Sequence, residues 1–251
     1  MVSAIFRFHG ELADFLAREL RGIAFEKACA RAATVKHAIE ALGVPHTEAG
    51  RLTVNGQPAT LSRIVREGDA IEVFPHGAGE VTGDAPSFLA DAHLGGLSRL
   101  LRMLGFDTLY DNAIHDRDLL ALAAREGRVL LTRDRELLKC REVMRGCFVH
   151  AVKPEAQLRE IAARYALERH MQPFTLCLHC NLRLEAIEKA AVAGHVPDRI
   201  AERYAEFVRC PGCSRIYWQG SHWERMRGML GGVCRTLAPQ TPYDGTASGT
   251  R

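Results

Sequence analysis

The chain opens on an alternating stretch, Ala4-Ile-Phe-Arg-Phe8, which predicts a half-buried strand. A helical stretch is expected around Glu11–Leu20. A second helix is expected over Thr34–Leu42, where Val35, Ile39 and Leu42 recur at helical spacing before Gly43. Arg51-Leu-Thr-Val-Asn-Gly56 reads as a strand running into an Asn-Gly turn, and the Glu67-Gly-Asp69 turn leads into an alternating strand over Ala70–Pro75. From residue 87 the pattern changes to short apolar runs separated by amphipathic stretches. Strands are expected at Phe88–Ala90, Thr108–Tyr110, Val129–Leu131 and Phe148–His150, with helices near Leu94–Leu104, Asp116–Glu126, Arg135–Met144 and Pro154–Leu167. Strands alternating with helices over short connections imply a parallel sheet covered by helices.

These patterns divide the 251 residues into a small α+β unit over 1–78, a Gly-rich linker over 79–86, an α/β unit over 87–168, a cysteine-bearing unit over 169–233 and a tail over 234–251 expected to be disordered. A composition of 47% hydrophobic and 25% charged residues, with no apolar run near the ~20 residues that span a bilayer, reads as soluble and globular. MVSAIFRFHG lacks a basic segment followed by a long apolar one, so a cytoplasmic location is expected. The net charge of +3 by itself points to no partner, but its distribution adds something. Residues 1–85 carry 9 basic and 11 acidic side chains, 86–170 carry 14 and 12, and 171–235 carry 9 and 6. The basic excess therefore follows the first unit, and 28 of the 33 cations are arginine, whose planar fork suits phosphate.

Acids fall where the expected strands end. Asp91 follows Phe88–Ala90, Asp111 follows Thr108–Tyr110, Asp134 follows Val129–Leu131, and Asp116 and Asp118 open the intervening helix. In open parallel sheets ligands gather at those carboxyl ends. Several carboxylates at one edge repel one another unless cations neutralise them, and hard oxygen ligands favour Mg2+ or Mn2+. Such a cluster suits metal-assisted phosphodiester hydrolysis. Each acid taken singly also suits a helix cap; the joint placement is what points to chemistry. His93, two residues after Asp91, is a candidate phosphate contact. Arg99 and Arg102, three apart on a helix, and Arg133 and Arg135, flanking Asp134, are candidates to hold phosphates near the acids. Gly95 and Gly96 would let a backbone approach closely.

Cys177-Leu-His-Cys180 and Cys210-Pro-Gly-Cys213 are two Cys-x-x-Cys knuckles that can give four thiolates to one tetrahedral Zn2+. With no open coordination position such a zinc is structural. The long gap between them leaves room for a largely helical insert over Glu185–Phe207. Trp218, with Tyr217 and Trp223, is a candidate stacking platform for unpaired bases, the alternative being a small core beside the zinc. Cys29, Cys140, Cys147 and Cys234 read as ordinary thiols.

Two resemblances add to this reading. The first 78 residues resemble a ubiquitin-like β-grasp domain of the sulfur-carrier type. The chain continues past His76-Gly-Ala-Gly79 without a free terminal Gly-Gly, which opposes carrier chemistry and favours a binding or scaffolding role with a protein partner. Asp91-Ala-His-Leu-Gly-Gly-Leu-Ser-Arg-Leu-Leu-Arg-Met-Leu-Gly-Phe-Asp107, followed by Arg128-Val-Leu-Leu-Thr-Arg-Asp134, is similar to the Mut7-C ribonuclease domain, a PIN-like nuclease domain with an appended zinc ribbon. That resemblance implies a metal-dependent ribonuclease with Asp91, Asp116 and Asp134 as its carboxylates, holding two divalent ions, and Asp118 as the alternate to Asp116. PIN-like nucleases often carry a further acid near a later strand end, where this chain offers only His150 and Glu155. A non-catalytic RNA-binding or adaptor protein is the competing reading.

Overall fold

The computed structural model describes residues 1–77 and 84–230. The expected tail, Cys234 and most of the expected linker lie outside the described residues. In the first unit β1 (Val2–Phe8) pairs antiparallel with β2 (Ala24–Cys29) and parallel with β5 (Ala70–Pro75). β3 (Ala49–Val54) pairs antiparallel with β5 and with the short β4 (Gln57–Pro58), giving the order β2-β1-β5-β3-β4. Asn55 and Gly56 both have left-handed φ values of 54° and 75°, the geometry of a tight hairpin, as the Asn-Gly signal implies. The helix α1 (Val35–Ala41) starts at Thr34, whose hydroxyl accepts from the His37 N–H, and buries Ile39 in one cluster with Phe6, Ile71 and Val73. This is the β-grasp arrangement.

Two expectations here are corrected. Glu11–Leu20 forms two 3-10 turns, Gly10–Phe15 and Arg18–Leu20, and no α-helix. Leu12, Phe15 and Leu16 are buried there by packing rather than by helical periodicity. The edge strand β2 was not anticipated, because of its six residues only Cys29 is buried; its ladder with β1 makes it a strand.

The second unit is the four-stranded all-parallel sheet β7-β6-β8-β9, built from β6 (Phe88–Ala90), β7 (Thr108–Tyr110), β8 (Val129–Thr132) and β9 (Gly146–Phe148). The helices α2 (Gly95–Met103), α3 (Asp116–Glu126), α4 (Arg135–Lys139) and α5 (Pro154–Tyr165) connect and cover these strands. Strand side chains alternate between two cores. Phe88, Ala90, Val129, Leu131 and Cys147 pack with Leu97, Leu101, Leu158 and Ile161 of α2 and α5. Leu89, Leu130 and Phe148 pack with Leu119, Ala123, Leu137 and Leu138 of α3 and α4, and this second cluster is continuous with the β-grasp core. The first two units therefore share a core.

α4 stops at Lys139, short of the expected Met144, because Cys140 turns to an extended backbone. β9 begins two residues earlier than expected, since pairing with β8 sets its register at Leu130↔Gly146 and Thr132↔Phe148. A Cβ at Gly146 would sit 2.6 Å from Leu138 Cδ2, so any side chain there would have to displace Leu138 on α4.

The third unit is the antiparallel sheet β10-β11-β12, formed by β10 (Glu185–Ile187), β11 (Phe207–Arg209) and β12 (Ile216–Tyr217), with helices α6 (Asp198–Arg203) and α7 (Ser221–Leu230). The insert between the knuckles thus begins and ends in strands, and only α6 and a 3-10 turn at Lys189–Val192 are helical. No helix among the described residues is long and apolar enough to cross a membrane.

Candidate functional site

The strand order places β7 on one side of β6 and β8 on the other, so the chain reverses its direction of travel across the sheet between β6 and β8. The crevice outside the carboxyl ends at such a point is where α/β sheets bind ligands. Asp91 immediately follows β6, and its N–H donates to the Leu131 carbonyl at 3.0 Å. Its Oδ1 accepts from the Ala92 N–H at 2.5 Å and its Oδ2 from the Thr132 hydroxyl at 2.6 Å. The Thr132 oxygen in turn accepts from the Asp134 N–H at 2.9 Å. Asp134 caps α4, its Oδ1 accepting from the N–H groups of Glu136 at 2.8 Å and Leu137 at 3.4 Å. Both aspartates thus cap the helical turn that follows their strand.

Asp91, Asp116 and Asp134 line one open cleft of about 550 Å3, together with His93, Arg133, Arg135 and Glu136. Glu136 went unnoticed in the sequence, where it reads as an ordinary first-turn acid of α4; its position two residues after a strand-end aspartate is the available signal. Asp118 shares the first turn of α3 with Asp116 but does not line the cleft. Asp111 folds onto its own loop, accepting from the Ala113 N–H at 2.9 Å. The carboxylate oxygens do not converge as closely as the cysteine sulfurs do: among the described residues only the four cysteines place three or more ligand atoms within 4.8 Å of one another. A wide set of hard oxygen donors fits Mg2+ or Mn2+, which keep several waters and need only one or two protein carboxylates each.

The candidate cations divide. His93 is exposed in the cleft, and Arg99 is exposed on α2. Arg102, expected on the same helix face as Arg99, is 4% exposed and points inward: its guanidinium donates to the carbonyls of Thr108, Leu178 and His179 at 2.9, 3.0 and 2.9 Å. It ties the third unit to α2 and is not presented to phosphate. Arg133 lines the cleft while its Nη1 donates to the carbonyls of Val149, His150 and Ala151. The Arg135 guanidinium lies 5.1 Å from the Phe15 ring and 5.7 Å from that of Phe148. Close approach at Gly95 and Gly96 is to side chains, not to backbone: added Cβ atoms would lie 2.7 Å from Tyr110 Oη and 2.6 Å from Pro154 Cγ.

The two cysteine knuckles are built alike. Asn181 and Ser214, each just after the second cysteine, have φ values of 61° and 58°. Their N–H groups donate to the carbonyls of Cys177 and Cys210 at 3.0 and 2.9 Å, while the N–H groups of those two cysteines donate to Leu182 and Arg215 at 2.8 and 3.0 Å. All four sulfurs lie within 4.8 Å of one another. The Arg215 backbone N–H draws the Cys213 thiol down to about 6, and the Cys180 thiol that hydrogen-bonds to it is pushed up to about 12. Four sulfurs so close fit one tetrahedral metal ion, which neutralises the thiolates that would otherwise repel one another. Trp218 lines an apolar cavity of about 250 Å3 with Phe174, Tyr217 and Trp223 beside this cluster. Trp223 is buried against Phe174 in the same core as α2 and α5, and the Tyr217 hydroxyl contacts Cys177 Sγ at 3.1 Å, so both are taken up in packing.

The family model described as the Mut7-C RNAse domain matches residues 86–230, more than half of the chain, and that of the Mut7-C ubiquitin domain matches residues 1–79. The chain belongs to the Mut7-C RNAse family. Its nuclease domain model starts two residues before β6 and extends through the ribbon, so acid cleft and cysteine cluster lie in one family unit. No curated protein matches the Mut7-C chain. Two crystal structures of small archaeal modifier protein 1 from Haloferax volcanii are similar at 22% identity, covering 30% and 33% of this chain and 98% and 99% of the modifier, with TM-scores of 0.25 and 0.24. The ubiquitin-like assignment of the first unit rests on the family match and on its strand order.

Proposed function

We propose that this Mut7-C protein is a divalent-metal-dependent ribonuclease, with Asp91, Asp116 and Asp134 as its metal-binding acids and a structural Zn2+ on Cys177, Cys180, Cys210 and Cys213. The observation that carries the reading is the pair of aspartates beyond the neighbouring strands β6 and β8, joined through one threonine, with Asp116 on the same cleft. Bound Mg2+ or Mn2+ would activate water and neutralise charge building on the phosphodiester. Asp91 and Asp134 supply carboxylates whose orientation is fixed by short hydrogen bonds from Thr132, Ala92 and Glu136. Asp116 adds its charge from the start of α3. His93 and Arg133 offer donors to the RNA phosphates from the cleft wall.

The competing reading, an RNA-binding adaptor without catalysis, is favoured by the lack of a close carboxylate cluster among the described residues and by the use of Asp91 and Asp134 as caps. Mn2+ binding separates the two. Electron paramagnetic resonance of purified protein titrated with Mn2+ is expected to show binding that Asp91→Asn weakens, alongside metal-dependent cleavage of labelled single-stranded RNA. RNA binding without either would establish the adaptor.

A further inference from the structure

The β-grasp unit meets the nuclease unit at the edge of the sheet that carries the acids. β9 is the outer strand there, and pairing with β8 turns the Phe148 N–H away from the sheet. An unpaired N–H at a buried edge has to find an acceptor. It finds Glu48, a β-grasp side chain only 1% exposed, whose Oε1 accepts it at 2.8 Å. The other carboxylate oxygen pairs with Arg164 of α5 at 2.6 Å, and the same guanidinium donates to the Thr47 carbonyl at 3.3 Å. One buried carboxylate thus stands in for a fifth strand and clamps α5.

The clamp lies one step from the acids. Phe148 is the register partner of Thr132, and the Val149 N–H donates to the Thr132 carbonyl at 2.8 Å. The Thr132 hydroxyl holds Asp91 and the Asp134 backbone. A second contact reaches the same loop: Arg135, adjacent to Asp134, stacks on Phe15 of the β-grasp unit and donates to the Phe15 carbonyl at 3.4 Å. Phe15 also packs edge-on against Phe148 at 5.1 Å. Both flanks of Asp134 are therefore braced, Arg133 by the carbonyls after β9 and Arg135 by the β-grasp unit.

We propose that the β-grasp unit is a built-in part of the nuclease, with Glu48 and Phe15 as positioning residues that hold the β8–α4 loop carrying Thr132 and Asp134. The function follows from the docking surface and needs no free terminus or separate acceptor protein. It rests on the ribonuclease reading for its consequence in catalysis, but not for its structural content.

Amide hydrogen exchange on the full chain tests it, with the ribbon residues 207–217 as internal reference. Glu48→Ala is expected to speed exchange about tenfold or more at the Phe148 amide and across residues 132–137, leaving the ribbon unchanged. Glu48→Gln keeps an acceptor for Phe148 and is expected to restore most of that protection. Phe15→Leu keeps an apolar plug but removes the ring under Arg135, and is expected to loosen 132–137 even if Glu48→Ala fails to fold. In the Mn2+-dependent cleavage assay Glu48→Ala and Phe15→Leu should lower kcat with little change in KM for RNA. Unchanged exchange at 132–137 in folded Glu48→Ala or Phe15→Leu, or a uniform rise that includes the ribbon, would overturn the proposal. An intact exchange pattern of coupling in a wild-type chain that cleaves nothing would instead refute the ribonuclease reading alone.

Discussion

Asp91 and Thr132 lie just past β6 and at the end of β8, and a 2.6 Å hydrogen bond joins the carboxylate of one to the hydroxyl of the other. Thr132 is completely buried and also accepts from the Asp134 N–H, so a single hydroxyl sets the spacing of the two aspartates. Thr132→Val keeps the shape while removing both bonds. We expect Mn2+-dependent cleavage to fall about 10- to 100-fold, as for other residues that orient metal ligands, with a stability loss of about 1–3 kcal/mol in urea unfolding. Wild-type rates in the valine variant would show that the aspartates need no such bridge.

Asp116 and Asp118 share a helix turn but only Asp116 lines the cleft. Asp116→Asn is expected to abolish cleavage, and Asp118→Asn to leave it within about twofold of wild type, because its charge acts only through exposed solvent. Equal losses would mean that α3 rotates on substrate binding.

Arg102 is expected to matter for assembly and not for affinity to RNA. Its three carbonyl acceptors come from β7 and from the first cysteine knuckle, inside a nearly closed site. Arg102→Ala leaves those carbonyls without donors and should destabilise the chain by about 3 kcal/mol. The salt dependence of RNA binding should not change, whereas loss of a phosphate contact would reduce its slope by about one. Chelation of the metal, or Cys177→Ser, should loosen the same junction, read as a lower Tm and loss of one Zn2+ per chain.

Asp69 gives the β-grasp unit a pH-dependent contribution to stability. Burial would raise its carboxyl, but hydrogen bonds from Arg63, the Arg66 N–H and Asn55, with the Arg63 charge, outweigh burial and hold it below the ordinary carboxylate value. A folded value below the unfolded one of about 3.9 means the contribution is complete above that pH and is lost as the pH falls through the folded value. Urea unfolding from pH 7 to pH 3 should therefore show Asp69→Asn less stable at neutral pH, the gap narrowing in acid. A gap independent of pH would contradict this.

Much of this was legible in the sequence, for identifiable reasons. The β6, β7 and β8 runs and the α3 limits follow from apolar runs bounded by Asp and Gly, and the paired cysteine knuckles state their own geometry. What the pattern could not reveal depends on partners distant in sequence. β2 is a strand because of β1, Arg102 is buried because the knuckle carbonyls come to it, and the register of β9 is set by β8. No local signal marks Glu48, because its role exists only once a strand edge 100 residues away is docked against it.

Cleavage of labelled single-stranded RNA by full-length protein, with and without Mn2+ and side by side with Asp134→Asn, tests the central claim most directly. The wild type should cut only with the metal, and the variant should not cut while retaining its zinc and its Tm within a few degrees. Cleavage by the variant at the wild-type rate, or none by a zinc-loaded wild type at any Mn2+ concentration, would contradict it.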